Sequence, residues 1–368
     1  MKMRNHKKLL CVILALIVAL SAASCSLSKQ YSYKTDDVEL PIGVYINYLR
    51  SAYYEAQSYA QKSDKYDSEA GTYDGKESFL KLEITDDDGN TAVAEDWIKS
   101  RAAKYMDEAV ATYYEYNKLG ATMDEATYNS QKSIYDQYKD TIEDTFSPYG
   151  ISYDSFFLCA VTIPLMQNAV FEAEYAVDGP MAVSDEELYA YFAENYTSYH
   201  YFSVNLYTTE TDEDGESVTT PMTDAEVAAI TASFEGYAAE LNAGASFSDV
   251  LAKYNEEYEA SKTATDKTEV IDADTDDELQ KAVLSLDEGK AKQVVIGTDA
   301  NTRQIYLISK DVIKDVTASY FETEGRRDTV VSEMKEDDFE ELLKTIAAAI
   351  NVDKSSACNS YKPSMFES

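Results

Sequence analysis

The chain has 368 residues, and its 68 acidic against 32 basic side chains give a formal net charge of −36 at neutral pH. Because so negative a surface repels a phosphate backbone and no basic patch interrupts it, we do not expect the protein to bind nucleic acid. The two histidines, His6 and His200, and four cysteines are too few ligands to predict a zinc site, and nothing in the composition indicates another metal or cofactor.

The first residues have the form of a secretory signal. Four basic side chains precede the apolar run LLCVILALIVAL, which is too short to span a bilayer. The segment SAASC then resembles a bacterial lipobox, in which the cysteine takes a diacylglyceryl group and the leader is cut before it. We therefore expect 1–24 to be a lipoprotein signal peptide, Cys25 the lipid attachment site and 25–40 a lipidated tether. Acyl chains would hold the protein on the extracytoplasmic face of the bacterial membrane. An ordinary secreted protein is the alternative.

Residues 41–197 are predicted to form a helical N-terminal domain. Pro41 opens PIGVYINYLRSAYYEAQSYAQK, a pattern typical of a helix start. Residues 60–94 are polar and contain glycines, which predicts a loop or a hairpin insertion. Within it, TDDDGN indicates a turn rather than a calcium loop, because its glycine falls too early for an EF-hand.

More helices follow in the same domain. EDWIKSRAAKYMDEAVATYYEYNKLG has helical spacing, with Gly120 as a C-cap. Thr122 and Glu125 fit a capping box that starts the next helix. A long apolar helix is predicted over roughly 152–177, with a kink at Pro164. Ser184 and Glu187 fit a further capping box, which opens SDEELYAYFAENY.

Residues 198–316 change to a mixed pattern. The stretch 200–207 alternates as a half-buried strand, in which Phe202, Val204 and Leu206 would face helices. TETDEDGESVTT predicts an acidic loop, and 259–276 is a polar stretch without a predicted strand. Helices are predicted after a capping box at TDAE, in SFSDVLAKYNEEY and in DDELQKAVLSLDEGK, and strands in KQVVIG and RQIYLISKDVI. This order describes a compact α+β domain.

The end of the chain returns to helix. Residues 325–350 are amphipathic, and NVDKSSACNSYKPSMFES reads as a polar tail. We expect 317–368 to be a C-terminal helix packing on the N-terminal domain, followed by that tail, so that the middle domain is an insertion. Cys159 lies in SFFLCAVTIPL and is predicted to be a buried small hydrophobe. Whether it pairs with Cys358 stays open.

The order of these segments resembles the PrsA/SurA-type extracytoplasmic foldases, whose middle domain is a parvulin-type (PpiC-like) peptidyl-prolyl isomerase. LPIGVYINYLRSAYYEA, VSDEELYAYFAENYTSYHYFSV, LNAGASFSDVLAKYNEE and AVLSLDEGKAKQVVIG carry the resemblance. It implies a SurA-N-like domain at 41–197 and a parvulin-like domain at 198–316. It also implies a membrane-anchored chaperone whose partners are unfolded or newly secreted polypeptides.

The sequence departs from that family at the site itself. The family pairs two strand histidines with a nearby Cys or Asp in a network that faces a proline pocket. Here the first histidine falls on Ser203, and the last falls near Tyr306, or on Ile305 in another register. The resemblance therefore makes one face of the strand a candidate peptide-binding surface, and its residues are Tyr201, Ser203, Asn205 and Tyr306. His200 has the opposite strand parity and is interpreted as a strand-entry residue.

The resemblance thus implies a foldase without the usual catalytic histidines, needing neither cofactor nor ATP. An active isomerase with a non-histidine site is one alternative. A solute-binding lipoprotein is another, although that fold needs repeated βα alternation. The chain also has 31 tyrosines, many on the N-terminal helices, where they can pack the helices or contact unfolded chains.

Overall fold

A computed structural model of the chain describes residues 30–211, 215–257, 267–272, 275 and 277–367. The signal peptide and Cys25 lie outside these residues, so their roles stay predictions. The described part is an α+β protein, and it divides into two compact units. The first contains the described residues up to Ala182 together with those from Lys335 onward. The second is Val183–Met334.

The first unit is mainly helical. Its elements, up to the boundary, are β1 (Tyr31–Lys34), β2 (Glu39–Pro41), α1 (Ile42–Lys62), β3 (Tyr66–Asp67), β4 (Thr72–Tyr73), β5 (Glu83–Thr85), β6 (Thr91–Val93), α2 (Ala94–Leu119), α3 (Glu125–Gln137), α4 (Lys139–Phe146), α5 (Tyr153–Phe157) and α6 (Ile163–Tyr175). Helices α1 and α2 pack against each other around a core that includes Leu49, Ile98 and Met106. Gly43 permits close approach at this core, because a Cβ there would lie 2.5 Å from the Ser155 Oγ.

The polar insertion between α1 and α2 forms two hairpins, β3–β4 and β5–β6. Of the two predicted alternatives, a loop or a hairpin insertion, the second is the one present. TDDDGN is the turn of the β5–β6 hairpin. The Asp86 carboxylate accepts hydrogen bonds from the Asn90 backbone N–H at 2.7 Å and from the Trp97 indole N–H at 3.0 Å. These bonds lower the pKa of Asp86. The predicted turn is therefore confirmed.

Two local predictions in this unit meet different outcomes. Gly120 ends α2 in the left-handed conformation with φ of 64°, as predicted. The N-cap of α3 is Asp124, whose side chain accepts the Thr127 N–H. The capping box at Thr122 and Glu125 is therefore wrong, because an acceptor closer to the first turn was available.

The predicted apolar helix is present as α5, a π-helical turn over Leu158–Thr162, and α6. The wider turn lies directly before Pro164, whose ring would clash with the carbonyl four residues earlier in a regular α-helix. By length and by a mean hydropathy of 1.4, Tyr153–Tyr175 could cross a membrane. Several of its apolar side chains, among them Met166 and Val170, are buried in the core of this unit, as in a core helix of similar composition.

The second unit contains one four-stranded sheet with helices on both faces. Its elements are α7 (Asp185–Asn195), β7 (Tyr196–Asn205), β8 (Tyr207–Thr211), β9 (Ser217–Pro221), α8 (Asp224–Asn242), α9 (Phe247–Glu257), β10 (Lys267–Asp272), α10 (Glu278–Leu284), β11 (Ala291–Ile296), β12 (Gln304–Lys310), α11 (Ile313–Phe321) and the start of α12 (Arg326–Ala349). The strand order is β10-β7-β12-β11, and all three pairings are antiparallel.

This unit is wider than the predicted 198–316. Helices α7 and α11 pack against each other beside β7, with the ring centroids of Phe192 and Tyr320 4.5 Å apart. Aromatic burial between segments more than a hundred residues apart leaves no signal in either segment alone. The predicted capping boxes at Ser184 and Thr223 are both present, and they start α7 and α8.

Two segments that were predicted to contain no strand do contain strands, so these two predictions are wrong. The acidic loop contains the β8–β9 hairpin, whose strands pair with each other. The polar stretch 259–276 contains β10, which pairs with β7. Both strands have mostly polar side chains, so periodicity did not reveal them.

The two faces of the sheet have separate cores. Phe202, Val204 and Leu206 pack against Phe234 and other residues of α8 and α9, as the alternation predicted. Tyr199, Tyr201 and Ile308 lie on the other face with Val283 of α10.

The end of the chain is packed rather than a free polar tail. β13 (Asp353–Lys354) pairs with β1 in the first unit. Cys358 and Phe366 are buried, with Phe366 ring centroids 5.3 Å from Tyr149 and 5.7 Å from Tyr53. From Lys335 onward, α12 packs on α2 through Leu343 and Ile346.

Candidate functional site

The predicted site residues lie on β7 and β12, the two central strands of the sheet. Ser203 pairs directly with Tyr306, and Asn205 pairs directly with Gln304. Directly opposed residues of antiparallel strands project to the same face. The structure therefore brings Ser203 and Tyr306 together. Ile305 pairs with Val204 and is buried against the helices of the other face, so the alternative register places no residue on this face.

A chain of side-chain hydrogen bonds runs along this face. The Tyr306 hydroxyl donates to the Gln304 Oε1 at 2.5 Å, and the Gln304 amide donates to the Asn205 Oδ1 at 2.6 Å. Burial, and secondarily the nearby Asp277 and Tyr207, raise the pKa of Tyr306. The phenol is therefore a hydrogen-bond donor at neutral pH and not a base.

Tyr201 belongs to a second polar group on the same face. The hydroxyls of Tyr199 and Tyr201 both donate to the Glu269 carboxylate, at 2.6 and 2.7 Å. Burial first, and then Glu269, raises the pKa of Tyr201 to about 12, and the same causes raise the pKa of Tyr199 further. The ring of Tyr201 lies 6.0 Å from that of Tyr306, so the two polar groups adjoin.

Glu269 is the residue that the sequence analysis missed. It lies on β10, inside the stretch that was interpreted as polar and without a strand. The only available signal was TEVI, a short β-branched run with Glu269 between threonine and valine. A carboxylate becomes a plausible member of this face only once β10 is known to pair with β7.

His200 lies on the opposite face from Tyr306. Its ring centroid is 5.2 Å from that of Phe247 on α9, and its Nε2 is 3.6 Å from the Asp311 Oδ1. Ser198 also donates to Asp311, at 2.5 Å. The only histidine of the described residues is thus held near a carboxylate and cannot reach the predicted face. It lies in the middle of β7, paired with Ser309 and Thr268, so the interpretation as a strand-entry residue is wrong, because β7 begins four residues earlier than the alternation indicated.

The face can therefore hold an amide or a carbonyl by hydrogen bonds, and it carries Ser203 and Tyr306 at the positions where the resemblance places histidines. Its described members are the hydroxyls and carboxamides of Tyr201, Ser203, Asn205, Gln304 and Tyr306, together with the Glu269 carboxylate. Across the described ranges, no three His, Cys, Asp or Glu side chains come together as a metal site.

The two cysteines of the described residues are both free and buried in the first unit. Burial raises the pKa of the Cys159 thiol to about 12 and that of the Cys358 thiol to about 11. Cys159 is the buried small hydrophobe that was predicted. The disulfide that stayed open is not formed here.

The family resemblance rests on this chain's own residues. No protein-family model and no curated protein matches the chain.

Proposed function

We propose that the protein is a membrane-anchored extracytoplasmic chaperone of the PrsA type, which assists the folding of secreted proteins without histidine catalysis. The observation that carries the proposal is the direct pairing of Ser203 with Tyr306. These are the positions at which the resemblance places two histidines, and they adjoin on one face as such a pair would need to. This pairing supports a site of the family's arrangement in which other side chains stand in place of the two histidines.

The first unit supplies further support for client binding. Helix α3 has no buried residue, and its Ile134 is 47% exposed. Tyr138, directly after α3, is 60% exposed, and Tyr54 on α1 is 45% exposed. Exposed apolar and aromatic side chains on helices suit transient contact with varied unfolded chains. Buried tyrosines such as Tyr113 instead pack the helices.

An active isomerase with a non-histidine site is the second candidate. The phenols of Tyr201 and Tyr306 favour it, because a hydroxyl that turned from Glu269 or Gln304 to a twisted prolyl amide could lower the rotation barrier of ~18–20 kcal/mol. A solute-binding lipoprotein receives no support. Every strand pairing in the described residues is antiparallel, whereas that fold needs parallel βα units.

Two assays on the full chain test the proposal. The first measures how far the protein suppresses aggregation of a reduced, unfolded secreted protein, and the second measures isomerisation of a proline peptide. We expect suppression without isomerisation. We also expect Tyr306→Ala with Asn205→Ala to weaken suppression several-fold, because the hydrogen-bonding face is removed, whereas Thr208→Ala on the exposed hairpin has no effect.

Other outcomes discriminate among the candidates. Isomerisation that disappears in Tyr306→Phe would favour the non-histidine enzyme. If the full chain neither suppresses aggregation nor catalyses isomerisation, both the chaperone and the isomerase with a non-histidine site are excluded. Tight stoichiometric binding of one small solute would favour an import lipoprotein.

A further inference from the structure

Strand β11 forms one edge of the four-stranded sheet. It pairs with β12 on one side, and no strand of the described residues pairs with its other side. The side chain of Val295 in this strand is 43% exposed. An exposed sheet edge presents unpaired N–H and C=O groups to which another extended chain can add.

The hydrogen bonds around β12 show which backbone groups face outward. Lys310 donates its N–H to the Lys290 carbonyl and accepts the Gly289 N–H, so Lys310 faces the β11 side. Asp311 donates its N–H to the Ser198 carbonyl, so the neighbouring residue faces β7. Backbone groups alternate along a strand, and the even-numbered residues of β12 therefore bond toward β11.

The same alternation applies to β11. Tyr306 pairs with Val294, so Val294 turns its backbone groups to β12, and those of Ala291, Gln293 and Val295 point away. The outward groups of Ala291 are already bonded. Those of Gln293 and Val295 have no partner among the described residues.

Asn242 shows that this edge accepts a peptide-like group. Its side-chain amide, at the end of α8, donates to the Ala291 carbonyl at 2.9 Å and accepts the Ala291 N–H at 3.0 Å. One carboxamide thus makes both bonds that a residue of an added strand would make. Two residues further along, Gln293 presents the same pair of groups with nothing bound to them.

The charges at this edge select the occupant. Lys290 and Lys292 are exposed, and neither ammonium has a carboxylate within 4.0 Å among the described residues. In a chain of net charge −36, these two lysines thus form no ion pair with a described residue. Lysines on an edge strand disfavour pairing with a second copy of the same edge and favour a strand that carries a carboxylate.

We propose that the outer edge of β11 binds an extended segment of a client polypeptide by strand addition. The bound segment pairs with the backbone of Gln293 and Val295, places an acidic side chain beside Lys292 and lays a β-branched side chain against Val295. The inference rests on the proposed chaperone function, for which it names a second surface, at the sheet edge, and the chemistry of its ligand.

Val295→Pro tests the edge in the full chain. Proline removes the outward N–H and places its ring in the path of the added strand, but it breaks no bond to β12 because that N–H points away. Val295→Thr is the matched control, because it keeps the N–H and the β-branched shape. Melting temperatures of both variants, measured beside the wild type, verify that the sheet is intact.

The probe is a fluorescent peptide that alternates Val with Thr and carries two Glu. We expect Val295→Pro to raise its dissociation constant about tenfold or more, and Val295→Thr to change it less than threefold, which corresponds to about 1.4 kcal/mol against less than about 0.7 kcal/mol. Replacing Glu by Lys in the peptide, or methylating its alternate backbone nitrogens, should weaken binding similarly. Peptide addition should also slow hydrogen exchange at the amides of Gln293 and Val295.

Equal peptide affinity of the proline and threonine variants would overturn the edge proposal. So would a wild-type dimer in sedimentation that Val295→Pro abolishes, because the occupant would then be a second copy. The two proposals fail separately. If the wild type did not suppress aggregation, the proposed chaperone function would be refuted. Peptide binding that depends on the Val295 N–H would still establish strand addition at the outer edge of β11.

Discussion

Two carboxyl groups lie side by side in the interior of the first unit. Glu115 of α2 is 0% exposed and Glu174 of α6 is 3% exposed. Lys118 contacts the Glu115 Oε1 at 2.6 Å, while the Glu115 Oε2 has no hydrogen-bond partner among the described residues. Burial, and then the neighbouring Glu115, raise the pKa of Glu174. When both carboxyl groups are ionised, no proton can form a hydrogen bond between them, and their negative charges repel each other.

We predict that Glu174→Gln stabilises the first unit at neutral pH. The new amide N–H can donate to the unpaired Glu115 oxygen, and hydrogen bonds to a charged group contribute about 1.5–3 kcal/mol. Local repacking around the substituted side chain will offset part of this gain. We therefore expect an increase of about 2 kcal/mol in the free energy of unfolding.

The sign of the pH dependence follows from the raised pKa. Because the folded-state pKa of Glu174 lies above the unfolded value, its contribution to stability is fully present below the unfolded pKa and is lost as the pH rises through the folded pKa. The advantage of Glu174→Gln should therefore be largest at neutral pH and shrink toward about pH 4, near the ordinary glutamate pKa.

Urea unfolding followed by Trp97 fluorescence measures this, since Trp97 is the only tryptophan and lies in the first unit. Glu172→Gln is the control, because it removes the same charge from an exposed position on α6. We expect it to change stability by less than about 0.5 kcal/mol. A Glu174→Gln chain that is less stable at neutral pH, or a difference that does not vary with pH, would refute the reasoning.

Three further predictions concern packing. Gly43→Ala should lower the free energy of unfolding by about 1–3 kcal/mol, because its Cβ would lie 2.5 Å from a serine Oγ of α5. Gly236→Ala in α8 should instead raise it by about 0.5–1 kcal/mol, because a Cβ there would meet nothing within 4 Å. If urea and thermal unfolding showed that both variants change stability in the same direction, the packing argument would be contradicted. Phe366→Ala should cost about 3 kcal/mol, although only two residues follow Phe366 in the sequence, because Phe366 is only 4% exposed; an unchanged melting temperature would show that Phe366 is not part of the core. Cys159 and Cys358 should react with a thiol reagent only on unfolding, since burial raises the pKa of both; rapid labelling of the native chain would contradict this.

Several features of the fold follow from neighbouring residues alone. The alternation in β7 correctly assigned Phe202 to the helix face, and Gly120 correctly marked the end of α2. These signals act within one turn or one strand, where the side chains that cause the structure are close in sequence. The same alternation separated His200 from Ser203, which already weakened the case for histidine catalysis.

Other features depend on partners that are distant in the chain. Strand β10 is polar and exists because it completes hydrogen bonds of β7, and it brings Glu269 to the hydroxyls of Tyr199 and Tyr201. The buried end of the chain likewise depends on packing against residues of α1 and the segment after α4, as the contacts of Phe366 show. No local pattern encodes such pairings.

The amino-acid sequence by itself determined the acidity, the helical and strand periods and the lack of the two histidines that the family resemblance would require, and it carries the pattern from which a secretory leader is predicted. Only the tertiary structure decided that Ser203 and Tyr306 are direct partners, that Glu269 joins their face and that Asn242 bonds to one residue of an otherwise open edge. The reason is physical: periodicity reports which side of an element is apolar, whereas the register between strands is set by hydrogen bonds and burial across the whole sheet.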